Sequence, residues 1–114
     1  MKTTTQIVGE ICPVVQTIKV IGGKWELIII RYLADSPMRF NELLRNADGI
    51  SSRTLSRILK TLMERGLVKR ELVSIQPVKV IYSLTESGNE IKPVIEALRK
   101  WGEKNIKNLN PNAY

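Results

Sequence analysis

The sequence predicts an α+β, mostly helical fold, a winged helix-turn-helix with a further helix at each end. Three observations carry this prediction. Apolar residues recur at helical spacing through successive segments up to about residue 65, switch to a strand-like pattern over 67–84, and return to helical spacing over 86–108. With 114 residues, 43% of them hydrophobic, residues 1–114 suit a single domain and are too few for two ordinary ones.

The first helix is read over Pro13 to Ile21, where Val14, Val15, Ile18 and Ile21 share a face, Pro13 suits the first turn and Gly22-Gly23 a stop. From Lys24 to Ala34, Trp25, Ile28, Ile29, Tyr32 and Leu33 follow i, i+3, i+4, i+7, i+8. Leu27 and Ile30 widen that stripe, so the second helix should be buried on more than one side. Asp35-Ser36-Pro37 is turn chemistry, and Phe40, Leu43, Leu44 and Ala47 mark a two-turn third helix that Asp48-Gly49 ends. Ser51 suits the N-cap of a fourth helix running to about Arg65, with Gly66 as its stop. Two helices joined by a short glycine-containing connection, the second richer in basic residues, make a helix-turn-helix pattern over about 39–65.

Beyond Gly66, Leu67 to Val73 is β-prone and Ile75-Gln76-Pro77 is a break. Val78 to Leu84 then alternates Val80, Tyr82 and Leu84 against Lys79, Ile81 and Ser83, giving a hairpin, the wing, over about 67–84. Thr85 is read as the cap of one long final helix with Ile91, Val94, Ile95, Leu98, Trp101 and Ile106 on a broad apolar face. Pro93 is expected inside that helix, leaving the Asn89 carbonyl without its donor and bending the axis. The first ten residues are expected to be loose, and the terminal NPNAY to be a tail.

Composition narrows the chemistry. The longest apolar run, Leu27 to Ile30, is far short of the roughly 20 residues of a membrane span. The opening MKTTTQIVGEIC does not resemble a secretory signal, so the expected location is cytoplasmic, with no membrane partner. There is one cysteine, Cys12, and no histidine. An intramolecular disulfide is therefore impossible, the usual zinc and iron ligand sets cannot be assembled, and acid–base catalysis lacks its commonest agent. No nucleophile–base pair is visible, and Gly22-Gly23-Lys24 lacks the preceding strand and spacing of a phosphate loop. The expectation is a protein that is not an enzyme and needs no metal or other cofactor.

Charge points elsewhere. Basic side chains exceed acidic ones by seven, and the pI is near 9.8. Residues 39–79 hold nine basic side chains (Arg39, Arg45, Arg53, Arg57, Lys60, Arg65, Lys69, Arg70, Lys79) against four acidic ones. On the fourth helix, Leu55, Ile58, Leu59, Leu62 and Met63 cover one side, while Arg53, Arg57 and Lys60 fall within about 60° of one another on the other. Ser52, Thr54, Ser56 and Thr61 stand around them as short hydroxyl side chains. Such a helix suits the major groove of DNA, where arginine grips guanine in a bidentate contact and the helix start offers N–H groups to phosphate. A merely solvated cationic face is the competing reading of this helix alone. The wing favours DNA, because Gln76, Pro77 and Lys79 lie beside Lys69 and Arg70, where they could meet the flanking backbone or minor groove. Arg39 and Asn41 are candidates for adjacent phosphates, with capping as the alternative, and Lys24 for the backbone.

The stretches CPVVQTIKVIGGKWELIIIRYL, RFNELLRNADGISSRTLSRILKTLMERGLVKR, YSLTESG and PVIEALRKWGE together resemble the HxlR-type transcriptional regulators, a branch of the MarR-like winged helix-turn-helix proteins. The resemblance covers residues 12 to about 104. LTESG is widespread among winged-helix regulators, whereas CP followed by IGGKW and then RFNEL and GIS is more specific. The resemblance implies a homodimer on a pseudo-palindromic operator, with the fourth helix as recognition helix and DNA-facing positions Ser51, Ser52, Arg53, Ser56, Arg57 and Lys79. The family often has proline where this chain has Ser52. Helices at about 13–21 and 86–108 would form the dimer interface, which agrees with the apolar Val14, Ile18, Ile95, Leu98 and Trp101. Trp25 and Tyr82 are better read as core. Several family members sense oxidants or electrophiles through a cysteine at the position of Cys12, and helix N-termini favour the thiolate form. A small buried apolar residue is the plainer reading of that thiol. The effector, redox or small molecule, is not identified by the sequence. A different class of function, a winged-helix module whose basic face docks an acidic protein, also fits the charge.

Overall fold

The computed structural model describes residues 12–110 and 112. The first eleven residues, among them the ten expected to be loose, and Pro111, Ala113 and Tyr114 of the terminal segment, lie outside the described residues. The elements run α1 (Pro13–Ile21), α2 (Lys24–Asp35), α3 (Phe40–Asn46), α4 (Ser52–Glu64), β1 (Val68–Ile75), β2 (Val78–Leu84), α5 (Glu86–Asn89) and α6 (Lys92–Asn105), closed by a 3₁₀ turn at Ile106–Asn108. The architecture is the expected winged helix-turn-helix, mostly helical with one two-stranded antiparallel sheet.

The core is aliphatic. Ile29, Ile30 and Leu33 of α2 meet Leu43 and Ala47 of α3, and Leu55, Ile58, Leu59 and Leu62 of α4, with Leu67, Val68 and Leu84 closing the base of the hairpin. Each of the isoleucine, leucine and valine side chains, fully buried, contributes about 1.5–3 kcal/mol. Every one of the α4 residues named lies on the side opposite Arg53, Arg57 and Lys60, so burying the leucines forces the cations outward. Trp25 and Tyr82 pack against this core, as read from the sequence.

Two departures from the sequence reading have clear physical reasons. The final helix is not one bent rod. It breaks after the single turn of α5 and restarts as α6, with Ile91 at the N-cap position and Pro93 in the first turn of the new helix. A proline there gives up only an N–H that a helix start leaves unpaired, so a break costs less than a kink. Second, the hairpin acquires an extra rung. Met38, just before α3, forms an isolated antiparallel bridge with Tyr82. The first strand runs on to Ile75, past the expected Val73, while the second spans Val78 to Leu84 as read; Gln76-Pro77 alone joins them, with a register irregularity between Leu72 and Ser74.

The joint between α4 and α5 explains the LTESG segment. The Thr85 hydroxyl donates to the Gly66 carbonyl and accepts from the Gly88 N–H at 3.1 Å. The Thr85 N–H donates to the Leu67 carbonyl, also at 3.1 Å. Gly88 is buried, and a Cβ on it would stand 2.2 Å from that same Leu67 oxygen, so only glycine admits this approach.

Candidate nucleic-acid interface

The start of α4 is held by Ser51, whose Oγ accepts the Thr54 N–H at 3.1 Å and donates to Thr54 Oγ1 at 3.0 Å. The Ser51 hydroxyl is thus engaged in shaping the helix start, while Ser52, Arg53, Ser56, Arg57 and Lys60 project exposed from the first two and a half turns. Ion pairs among the described residues join Arg31 to Asp35, and Arg99 to Glu96 and Glu103. None engages the cations of α4.

The extra rung builds a second cationic feature. Met38 brings Arg39 against the wing, and Arg70 is the cross-strand partner of Tyr82, the residue that Met38 bridges. Arg39, Asn41 and Arg70 line a hollow of about 260 Å³, with Phe40, Val80 and Tyr82 as its apolar wall. Arg39 precedes α3 directly, and its backbone N–H donates to Glu42 Oε1 at 2.8 Å. The sequence places Arg70 only on the flank of the wing. Its meeting with Arg39 depends on a pairing across more than forty residues, for which SPMRF carries no local signal.

Toward the hairpin tip, Lys79 is exposed, and so are Leu72, Val73, Ile75 and Val78. Lys24, at the start of α2, stacks its ammonium 4.9 Å from the centre of its neighbour Trp25.

The remaining candidates lie on α1 and α6. Val14, Ile18, Leu98 and Trp101 are 65%, 60%, 50% and 57% exposed. Val14, Ile18 and Leu98 line, with Ile21, Leu27 and Val94, an apolar groove of about 690 Å³ between the two helices, and Trp101 is not part of that lining. Ile95 differs, being half-buried against the core of its own chain. The flank of α6 beside α2 is ionic: hydrogen bonding from the Arg99 guanidinium holds the Glu96 carboxyl below its ordinary range, and its two carboxylate partners raise Arg99 in turn. Cys12 stands at the N-cap position of α1 as a free thiol, exposed in the single chain. Among the described residues no group of three His, Cys, Asp or Glu side chains could hold a metal, and no helix is long and apolar enough to cross a membrane.

Comparison with known proteins agrees with this geometry. The helix-turn-helix-type transcriptional regulator YybR of Bacillus subtilis is 43% identical over 96 residues, covering 84% of this chain and 77% of YybR. A helix-turn-helix-type regulator of Halalkalibacterium halodurans is 47% identical over 93 residues, covering 81% of this chain and 82% of its own. Among solved structures, the redox regulator HypR in its reduced form superposes with a TM-score of 0.80 at 40% identity, covering 90% of this chain and all of HypR. Its oxidised form gives 0.76 at 42%, covering 82% of this chain and 97% of HypR. The sequence profile of the HxlR-like helix-turn-helix family matches residues 20–110. The chain belongs to that family, and is a transcriptional regulator of the helix-turn-helix, MarR-like type.

Proposed function

We propose that the protein binds double-stranded DNA as a homodimer on a pseudo-palindromic operator, with α4 in the major groove and wing residues 73–79 on the flanking groove or backbone. The observation that carries this reading is the exposed cationic face of α4, unengaged by any ion pair among the described residues, and the Arg39–Arg70 hollow adds a second cationic feature. Arg53 and Arg57 are assigned to base edges with Ser52 and Ser56 beside them, Lys60 and Lys79 to phosphate, and Arg39 with Arg70 to a further phosphate. Ser51 holds the helix start that presents them. The dimer is assigned to the apolar faces of α1 and α6, through Val14, Ile18, Leu98 and Trp101, with Ile95 supporting from below.

Cys12 is assigned to signal reception. The support is its exposure at the start of an interface helix and its likeness in sequence to a protein named as a redox regulator and solved in oxidised and reduced forms.

The test is the ratio of affinities for the DNA upstream of its own gene and for random DNA, measured across a salt series. Specific binding should exceed random binding by at least about 10³, and both should fall steeply with salt. Salt-sensitive binding with no such ratio would favour the acidic-protein reading.

A further inference from the structure

Arg65, the first residue past α4, reaches back across the fold. Its Nη1 donates a 2.8 Å hydrogen bond to the carbonyl oxygen of Val20, which lies 45 residues away in sequence and in the last turn of α1. Carbonyls in that turn have no intrahelical donor, and a cation there faces the negative end of the helix dipole. Gly22 makes the room. Its φ is +97°, and a Cβ on it would stand 2.7 Å from both Arg65 Nη1 and Glu26 Oε2. The corner between α1 and α2 is shaped around the arginine head group.

α1 has little other hold on its own chain. Residues 13–20 are exposed, and only Ile21 packs partly against the core. The direction of α1 is therefore set at its apolar face by whatever covers it, and at its C-terminal end by the link to α4.

We propose that Arg65 is a positioning residue, a strut that fixes recognition helix α4 relative to dimer helix α1 and so sets the separation of the two recognition helices. The inference rests on the dimeric DNA-binding reading. Its consequence is specific to spacing, because operator half-sites must match the distance between the two helices. Loosening the strut leaves contacts inside a half-site intact and blurs the distance between half-sites.

The experiment compares wild type, Arg65→Ala and Arg65→Lys on the operator and on versions with one base pair added or removed between half-sites. Wild type should reject the altered spacings. Arg65→Ala should lose roughly tenfold of that discrimination, with unchanged affinity for an isolated half-site, and Arg65→Lys, which keeps a cationic donor, should retain most of it. Spin labels on Ser56→Cys in a Cys12→Ser background, read without DNA, should give a broader inter-protomer distance in Arg65→Ala. If that variant does not fold, Arg65→Gln, which keeps most of the stem and removes the charge, takes its place in both measurements. Unchanged spacing discrimination and an unchanged distance distribution would overturn the strut. A wild-type protein that is monomeric or indifferent to spacing would instead overturn the dimeric reading and the strut with it.

Discussion

Met38 and Tyr82 exchange both backbone hydrogen bonds, at 2.9 and 2.8 Å, which makes the segment before α3 a rung of the wing. That rung decides where Arg39 stands, and it stands at the hollow shared with Arg70. Arg39→Ala and Arg70→Ala should each weaken binding to operator and random DNA alike and lower the salt slope by about one. If both act on one phosphate, as proposed, the double variant should lose less than the sum, with a coupling of about 0.5 kcal/mol or more. Anisotropy titrations across a salt series measure both quantities, and strictly additive losses would separate the two residues.

Arg53 and Lys79 should differ in kind. Arg53→Ala is expected to cost about 1–3 kcal/mol on the operator and relax preference at one base pair, whereas Lys79→Ala should weaken all sequences equally. A panel of single-base operator variants distinguishes these outcomes. Wild-type behaviour by both would displace the recognition helix and the wing from their assigned roles.

Leu98 is half exposed on the groove between α1 and α6. Leu98→Asp should leave the far-ultraviolet circular dichroism unchanged, because nothing in its own core is lost. It should weaken self-association by about 2 kcal/mol or more. Sedimentation velocity at micromolar concentration should then show a monomer, and an intact dimer would move the interface elsewhere.

Cys12 offers the simplest test of signal reception. If the exposed thiol is the sensor, diamide or a quinone should lower operator affinity of the wild type and leave Cys12→Ser unaffected, in a gel-shift assay with and without dithiothreitol. An identical response in the variant would exclude the thiol.

Gly88 tests the joint behind the recognition helix. A Cβ at 2.2 Å from a backbone carbonyl has no flexible neighbour to displace, so Gly88→Ala should destabilise the fold by about 1–3 kcal/mol or more. Thermal unfolding should register the loss, while any protein that remains folded should keep its sequence preference.

The recognition helix was legible because Leu55, Ile58, Leu59 and Leu62 define its buried side by spacing alone, and the opposite side follows. The wing was legible from the change of period after Gly66. The break between α5 and α6 was not, because Pro93 is compatible both with a kinked helix and with the first turn of a new one. The Met38–Tyr82 rung was invisible for a related reason: a two-sided backbone pairing leaves no mark on side-chain periodicity. Arg39 could be nominated from sequence as a phosphate contact, but its partnership with Arg70 could not. Ile95 fell on the correct helix face by spacing, yet half-burial against its own core depends on where α6 lies over α2.

The hairpin is anchored at one end only. Its base is fixed by the buried Val68 and Leu84, the Met38 rung and the Thr85 bonds, while Leu72, Val73, Ile75 and Val78 stand in solvent around a register irregularity. Amides in the outer half should therefore exchange hydrogen with water far faster than those of α4. If the wing contacts DNA as proposed, a lever that is soft beyond its fulcrum could follow grooves of different width, with its ordering entropy spent only on the duplex.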